Sequence, residues 1–222
     1  SLFTGLLASH HGAHTEHLAL DSHHPTLAEL LGSHGYETAN FTGNAWIGPG
    51  IGLTRGFQRS QESWRRYHVD IMLLGSRVYR ALLAPDWDKG GAETVAGIHR
   101  WLSTRDTSRP YFLFVNIYEP HGPYQHVPRE FRRRFTDPDL SLRALEAIGN
   151  RVMTATQNGN PLSAEDAAIG LDLMDGAIAA SDSLLGEILE RVGDEPIVVV
   201  LSDHGELFGE HTLFGHSNTL YE

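Results

Sequence analysis

Pro196-Ile197-Val198-Val199-Val200-Leu201-Ser202 is the stretch on which the fold turns, and Asp203-His204-Gly205-Glu206 follows it without a break. Five aliphatic residues in a row, four of them β-branched, are too short for a helix and suit a buried strand. Two further short runs, Thr38 to Thr42 and Tyr111 to Ile117, read the same way. Between them lie stretches with helical spacing: Thr26 to Ser33, Ala92 to Ser103, and a long one from Ser163 to Val192. The last opens with a Ser-x-x-Asp capping pattern at Ser163 and Asp166. Leu171, Met174, Ile178, Leu185, Ile188 and Val192 step round it at three, four and seven residues, which predicts that this stripe faces a core and is packing rather than a cofactor box.

Strands alternating with helices predict an α/β fold, a mostly parallel sheet flanked by helices on both faces. Ligands of such sheets collect beyond the carboxyl ends of the strands. That rule directs attention to Gly43 to Gly56, Tyr118 to Pro128 and Asp203 to Ser217. Thr154 to Pro161 reads as a polar loop and Arg129 to Arg134 as a short basic cluster.

The third segment is the richest. Asp203, His204 and Glu206 are followed by Glu210, His211 and His216. A carboxylate beside a neutral imidazole suits a divalent cation with mixed oxygen and nitrogen ligands, and Gly205 lets the backbone turn away sharply. The plainer alternative is a polar loop whose histidines only make hydrogen bonds. Tyr118-Glu119-Pro120-His121-Gly122-Pro123-Tyr124 is the second candidate; by itself it reads as a rigid turn with one histidine, and its place after a strand is what recommends it. The early histidines His10, His11, His14, His17, His23 and His24 form a third cluster. His10 and His14, or His14 and His17, could share a helix face as a metal pair, but no acid frames them and Gly12 weakens the helix. Trp64-Arg65-Arg66-Tyr67 reads as a solvated face or an oligomer contact.

Composition narrows the partners. Seventeen basic residues against twenty-eight acidic ones give a net charge of −11 over 222 residues, which works against nucleic acid or an anionic membrane. With 41% hydrophobic residues the chain can bury a sizeable core. No cysteine is present, so disulfides, thiolate zinc sites and a cysteine nucleophile are excluded within these residues. No apolar run approaches the roughly 18 residues that span a bilayer. Ser1 to Leu7 is too short, and lacks the basic flank, for a secretory signal. The opening Ser-Leu-Phe-Thr-Gly and the final Leu-Tyr-Glu lead us to expect part of a longer polypeptide.

Residues 198 to 222, Val-Val-Val-Leu-Ser-Asp-His-Gly-Glu-Leu-Phe-Gly-Glu-His-Thr-Leu-Phe-Gly-His-Ser-Asn-Thr-Leu-Tyr-Glu, closely resemble the C-terminal metal motif of sulfatases, in the alkaline-phosphatase-like superfamily. Ser1-Leu-Phe-Thr-Gly-Leu with His11-Gly12 resembles the stretch after the sulfatase nucleophile box. Gly35-Tyr36-Glu-Thr-Ala-Asn-Phe-Thr with Gly52-Leu-Thr-Arg-Gly56-Phe57 resembles the next strand and its loop. Pro120-His121-Gly-Pro-Tyr124 is similar to a Pro-His-x-Pro-Tyr segment, and Met174-Asp175-Gly-Ala-Ile178 with Asp182 to the long helix before the metal strand. The likeness keeps the family's order over nearly the whole chain and is weakest over 70 to 110 and 129 to 165.

The resemblance implies one sulfatase-type catalytic domain over 1 to 222, incomplete at both ends, without the N-terminal metal and nucleophile segment and the C-terminal subdomain. It implies that Asp203 and His204 are ligands of one divalent ion, with calcium expected and magnesium, manganese or zinc as alternatives. His121 would contact the transferred group. His216, where the family has lysine or histidine, would help the leaving oxygen depart, with His211 as a nearby support. The nucleophile, a formylglycine or a serine or threonine, is expected ahead of Ser1, so that these residues alone are inactive. A glutamate common in the family is replaced by Ala177.

The expected activity is metal-dependent hydrolysis of sulfate esters, with a small anionic ester as partner. Hydrolysis or transfer of a phosphate ester, phosphodiester or phosphonate is the alternative, and a non-catalytic metal-binding scaffold is the alternative of another class. The chemistry is coherent: a divalent ion and imidazole donors stabilise charge on the non-bridging oxygens, and an imidazole that titrates near neutrality can protonate a leaving alkoxide.

Overall fold

In the computed structural model, which describes residues 1–14, 16–65, 88–158 and 161–216, the run Glu37–Thr42 (β1) is the middle strand of a three-stranded parallel sheet. Arg59–Glu62 (β2) pairs on one side of it, from Ala39↔Arg59 to Thr42↔Glu62. Tyr111–Asn116 (β3) pairs on the other, from Glu37↔Tyr111 to Thr42↔Asn116. The chain forms two compact units, Ser1–Gly75 with Lys89–Tyr118, and Ser76–Asp88 with Glu119–Glu222.

The first unit contains this sheet, the single-turn helix α1 (Ala8–His11), α2 (Leu27–Ser33) and α3 (Gly91–Thr104). A central strand with the polar residues Thr38, Asn40 and Thr42, all fully buried, is tolerable because each side chain makes at least one hydrogen bond, with Asn40 Oδ1 alone of their polar atoms left unpaired among the described residues. Thr38 Oγ1 donates to the Gly56 carbonyl at 2.6 Å, and Asn40 Nδ2 to Ser60 Oγ at 2.8 Å. The Asn44 amide donates to Thr42 Oγ1 at 3.0 Å. Even-numbered positions of β1 share a face with Phe112 and Phe114, against which Phe57 and Phe3 pack. The other face receives Trp101 of α3, tilted on Phe41 and edge-on to Tyr111, its indole N–H donating to Glu37 at 3.1 Å. The N-terminus of α2 is closed by a capping box between Thr26 and Glu29. Gly56, at φ +84°, lies where a Cβ would collide with the Glu29 amide of that turn.

The second unit contains α4 (Arg129–Arg134), α5 (Leu142–Asn158), α6 (Ala164–Val192) and a small antiparallel hairpin of β4 (Leu207–Phe208) and β5 (Phe214–Gly215). Its core joins Tyr124, Leu145, Ile148, Val152 and Leu173. Full burial of each aliphatic side chain contributes about 1.5 to 3 kcal/mol. A second cluster, Val127, Ala177 and Ala180, packs on Phe131.

The α/β class and the parallel sheet agree with the sequence, as do the helices at 26–33, 92–103 and 163–192, with Ser163 as the N-cap of α6. Three expectations are corrected, and the early histidines follow the reading that Gly12 weakens their helix. Pro196 to Ser202 is not a strand: it joins no ladder among the described residues, and Ile197 to Leu201 are exposed, Ile197 at 96%. A strand needs a hydrogen-bonding neighbour as well as a suitable composition. In α6 Ile188 of the expected stripe is buried and Met174 packs on the core, while Leu171 and Ile178 are exposed; the rest of the buried face is Gly170, Leu173, Gly176, Ala177 and Ala180, mostly small residues that allow a closer approach. Thr154 to Asn158 continue α5 rather than forming a loop, and Arg129–Arg134 is helical. The early histidines share no helix face: α1 ends at His11, Gly12 caps it at φ +71°, and His14 and His17 pair in an isolated bridge. Arg66, Tyr67 and 217–222 lie outside the described residues.

Candidate active site

The hairpin builds the centre. With Leu207↔Gly215 and Phe208↔Phe214 in register, Glu206 and His216 are the next pair outward, side by side where the ladder ends. The turn between the strands is pinned twice: Glu210 Oε2 accepts from the Phe208 amide at 2.6 Å, and the Gly209 amide donates to the Leu213 carbonyl at 2.9 Å. Its own backbone amide and that of Phe208 hold the Glu210 carboxyl below the ordinary carboxylate range. The hairpin is seated on the helices. Phe208 packs on Gly170 of α6 and on Tyr124, and Gly215 faces Thr156 of α5 so closely that no Cβ would fit.

His216 Nδ1 lies 2.6 Å from Glu206 Oε1. The Glu206 side chain is only 6% exposed, and the phenol of Tyr124 lies beside its carboxylate. Burial first, and the adjacent Glu206 charge second, keep Tyr124 protonated far above its usual range. The second oxygen, Glu206 Oε2, is buried and takes no hydrogen bond among the described residues.

Two further imidazoles converge on His216. The His204 ring stacks on it with centroids 4.1 Å apart, and the His121 ring meets it edge-on at 5.4 Å. His204 is oriented by its Nδ1 against the Gly205 carbonyl at 3.0 Å. Its Nε2 lies 3.7 Å from Asp203 Oδ2, the Asp203 side chain being 79% exposed. His121 has Nδ1 2.7 Å from the Gly122 carbonyl, in a loop resting on α5: a Cβ on Gly122 would come within 2.5 Å of Met153 Sδ.

The structure thus brings together three of the four expected site residues, His121, His204 and His216, and leaves Asp203 at the rim beside His204. His211 stands apart, exposed in a 3₁₀ turn with φ 54°, outside the group of ligand atoms. Glu206 was read from the sequence only as part of the acid and imidazole cluster, and Tyr124 without a role; the signal for Glu206 was the spacing of Gly209 and Gly215, which turns the chain back so that 206 meets 216.

Ligand atoms of His204, Glu206 and His216 lie within 4.8 Å of one another, a group able to hold a metal ion. Imidazole nitrogen beside carboxylate oxygen is donor chemistry that fits a divalent cation; Glu206 and His216 already engage one another, whereas the exposed Asp203 carboxylate lies beside His204.

The family model described as Sulfatase matches residues 1–222. Among solved structures, the phosphonate monoester hydrolase of Agrobacterium radiobacter superposes with a TM-score of 0.67 at 22% identity. The match covers 99% of this chain and 55% of that one, so the chain spans about half the length of that hydrolase. No curated protein is similar enough to the sequence to count as a match.

Proposed function

The chain belongs to the sulfatase family, and from that premise we propose that it forms part of a metal-dependent hydrolase of anionic esters, with sulfate monoesters as the first substrate class. The convergence of His121, His204 and His216 beside Asp203 and Glu206 carries this reading. A polar loop whose histidines served only local hydrogen bonds would have no reason to bring two further imidazoles onto the His216 ring.

On this reading residues 1–222 are one sulfatase-type catalytic domain, and Asp203 and His204 hold a divalent ion, calcium or another hard cation. When bound, such an ion draws off charge from the non-bridging oxygens of the ester. The protein's own groups do the rest. His121 lies across the His216 ring, where it can donate to an oxygen of the transferred group. His216 presents the nitrogen not engaged by Glu206 to the bridging oxygen and gives it a proton as the ester bond breaks. The nucleophile, a formylglycine or a serine or threonine, is proposed to precede Ser1 in the longer polypeptide.

A second reading has an observation in its favour: the solved structure it resembles is a phosphonate monoester hydrolase. Phosphonates and phosphodiesters present the same non-bridging oxygens to the same donors. The test is turnover by the full-length protein of a nitrophenyl sulfate, a nitrophenyl phosphodiester and a nitrophenyl phosphonate, with and without chelator, for wild type and Asp203→Ala. Chelator-sensitive sulfate cleavage that Asp203→Ala abolishes supports the first reading, and preference for either phosphorus ester reverses the order. Tight cation binding without turnover of any ester sinks both and leaves a metal-binding scaffold.

A further inference from the structure

We propose that Glu206 is a positioning residue that selects the tautomer and direction of His216, so that Nε2 is the nitrogen turned toward the leaving oxygen; the inference rests on the role proposed above for His216.

Three observations carry it. First, the bond is built by the backbone. Register across β4 and β5 makes 206 and 216 neighbours whatever their side chains, so the 2.6 Å contact is not a chance meeting of two long side chains. Secondly, the carboxylate is fixed. Glu206 is almost wholly buried beside Tyr124, which is itself 2% exposed in the core with Leu145, Ile148 and Val152. Thirdly, imidazole has two unlike nitrogens, and the partner of one decides which tautomer is present. A carboxylate can only accept, so Nδ1 must carry hydrogen and Nε2 is left for the substrate.

The arrangement is matched to histidine. A lysine at 216 would carry three equivalent donors and need no such selection. In the neutral ring Nδ1 keeps its hydrogen on Glu206, so the proton that His216 takes up and gives away is the one on Nε2; when the ester bond breaks, its electron pair goes to the bridging oxygen, the imidazolium passes its Nε2 proton to that oxygen, and the ring is left as the Nδ1–H tautomer.

Glu206→Gln is the discriminating variant, because an amide can accept from Nδ1–H or donate to a bare Nδ1 and so no longer chooses. Metal-loaded full-length protein is assayed on a nitrophenyl ester, whose leaving group departs unaided, and on an alkyl ester of the same acid, whose leaving group needs a proton. The expected result is a fall in kcat of roughly tenfold or more on the alkyl ester, little change on the nitrophenyl ester, and unchanged KM and bound metal. In a His216→Lys background, Glu206→Gln has no further effect. Equal losses on both esters would mean a merely structural role and overturn the proposal. Loss of bound metal would overturn it too, making Glu206 a ligand.

Histidine-selective ¹⁵N NMR supplies an arm independent of activity. At a pH where the ring is neutral, His216 is expected as the Nδ1–H tautomer in wild type and as a mixture in Glu206→Gln, and an Nε2–H tautomer in the neutral wild-type ring overturns the proposal. If wild type cleaves no ester, the functional reading falls, and this arm still decides whether Glu206 fixes the ring.

Discussion

Glu206 Oε1 and His216 Nδ1 lie 2.6 Å apart although ten residues separate them, because they flank a hairpin whose four strand residues are paired. The site is therefore tied to the hairpin's geometry, and the hairpin to the helices beneath. Gly215 makes the second tie: at φ +84° it packs its Cα against Thr156 of α5.

Gly215→Ala should for that reason damage both stability and site. An L residue at this φ costs roughly 1 to 2 kcal/mol, and the methyl would overlap Thr156 Cγ2. We expect a total loss of about 2 to 3 kcal/mol in chemical denaturation, with activity reduced more than the folded fraction. Adding Thr156→Ser, which deletes Cγ2, should restore part of it. A Gly215→Ala protein as stable and active as wild type would show that the hairpin is not seated this way.

How far the sequence alone reaches can be followed element by element. β1 and β3 were legible as short runs bounded by turns, whereas β2, Arg59–Glu62, was not: an edge strand half in solvent carries no apolar pattern. The run Ile197 to Leu201 has the composition of a buried strand and yet is exposed, since pattern reports what a segment suits and not whether a neighbour is there to pair. In α6 the search for large apolar residues pointed to Leu171 and Ile178, while the contact is made by Gly176, Ala177 and Ala180. His121, His204 and His216 were legible because they follow apolar runs, in segments 120 to 124 and 198 to 222 that resemble sulfatase motifs. The Glu206–His216 pair was not, because it depends on a register that two short strands do not announce.

Gly176 offers a test of that small-residue face. A Cβ there would press into the Phe131 carbonyl of α4, and the obstacle is backbone, which cannot swing aside. Helix propensity alone favours Gly176→Ala by about 1 kcal/mol. Overpacking costs about 1 to 3 kcal/mol, so the clash should win and the variant should be the less stable. A rise in melting temperature would mean that α4 and α6 are not in this close contact.

Arg151 and Asp166 join α5 to α6 through two hydrogen bonds, Nε to Oδ2 at 2.7 Å and Nη2 to Oδ1 at 2.8 Å. The Arg151 hydrogen bond pulls the Asp166 carboxyl below its usual range; burial opposes it, and the Arg151 charge adds a smaller pull. A carboxyl depressed in the folded state adds stability above its unfolded value near pH 4, and that contribution is lost as pH falls through the folded value. With Arg151 half exposed, screening limits it to roughly 0.2 to 1 kcal/mol. Asp166→Asn should therefore be slightly less stable than wild type at pH 7, and the gap should close toward pH 3. A gap that persists in acid would assign the loss to the N-terminal turn of α6, where the Asp166 amide donates to Ser163 Oγ.

Tyr124 gives the opposite pH signature. Its phenol is buried against the Glu206 carboxylate, so the folded state holds the proton well above the ordinary tyrosine range. Below about pH 10 both folded and unfolded chains are protonated and the contribution to stability is complete. Above it the unfolded chain releases the proton while the folded chain keeps it, and stability falls by up to about 1.4 kcal/mol per pH unit from this group alone. Tyr124→Phe keeps the ring packed on Phe208 and removes the hydroxyl. It should cost about 1 to 3 kcal/mol at pH 7, because a buried carboxylate loses a donor, and should flatten the stability profile between pH 10 and 11 as measured by urea denaturation. An unchanged alkaline slope would place the Tyr124 hydroxyl in contact with solvent and away from Glu206.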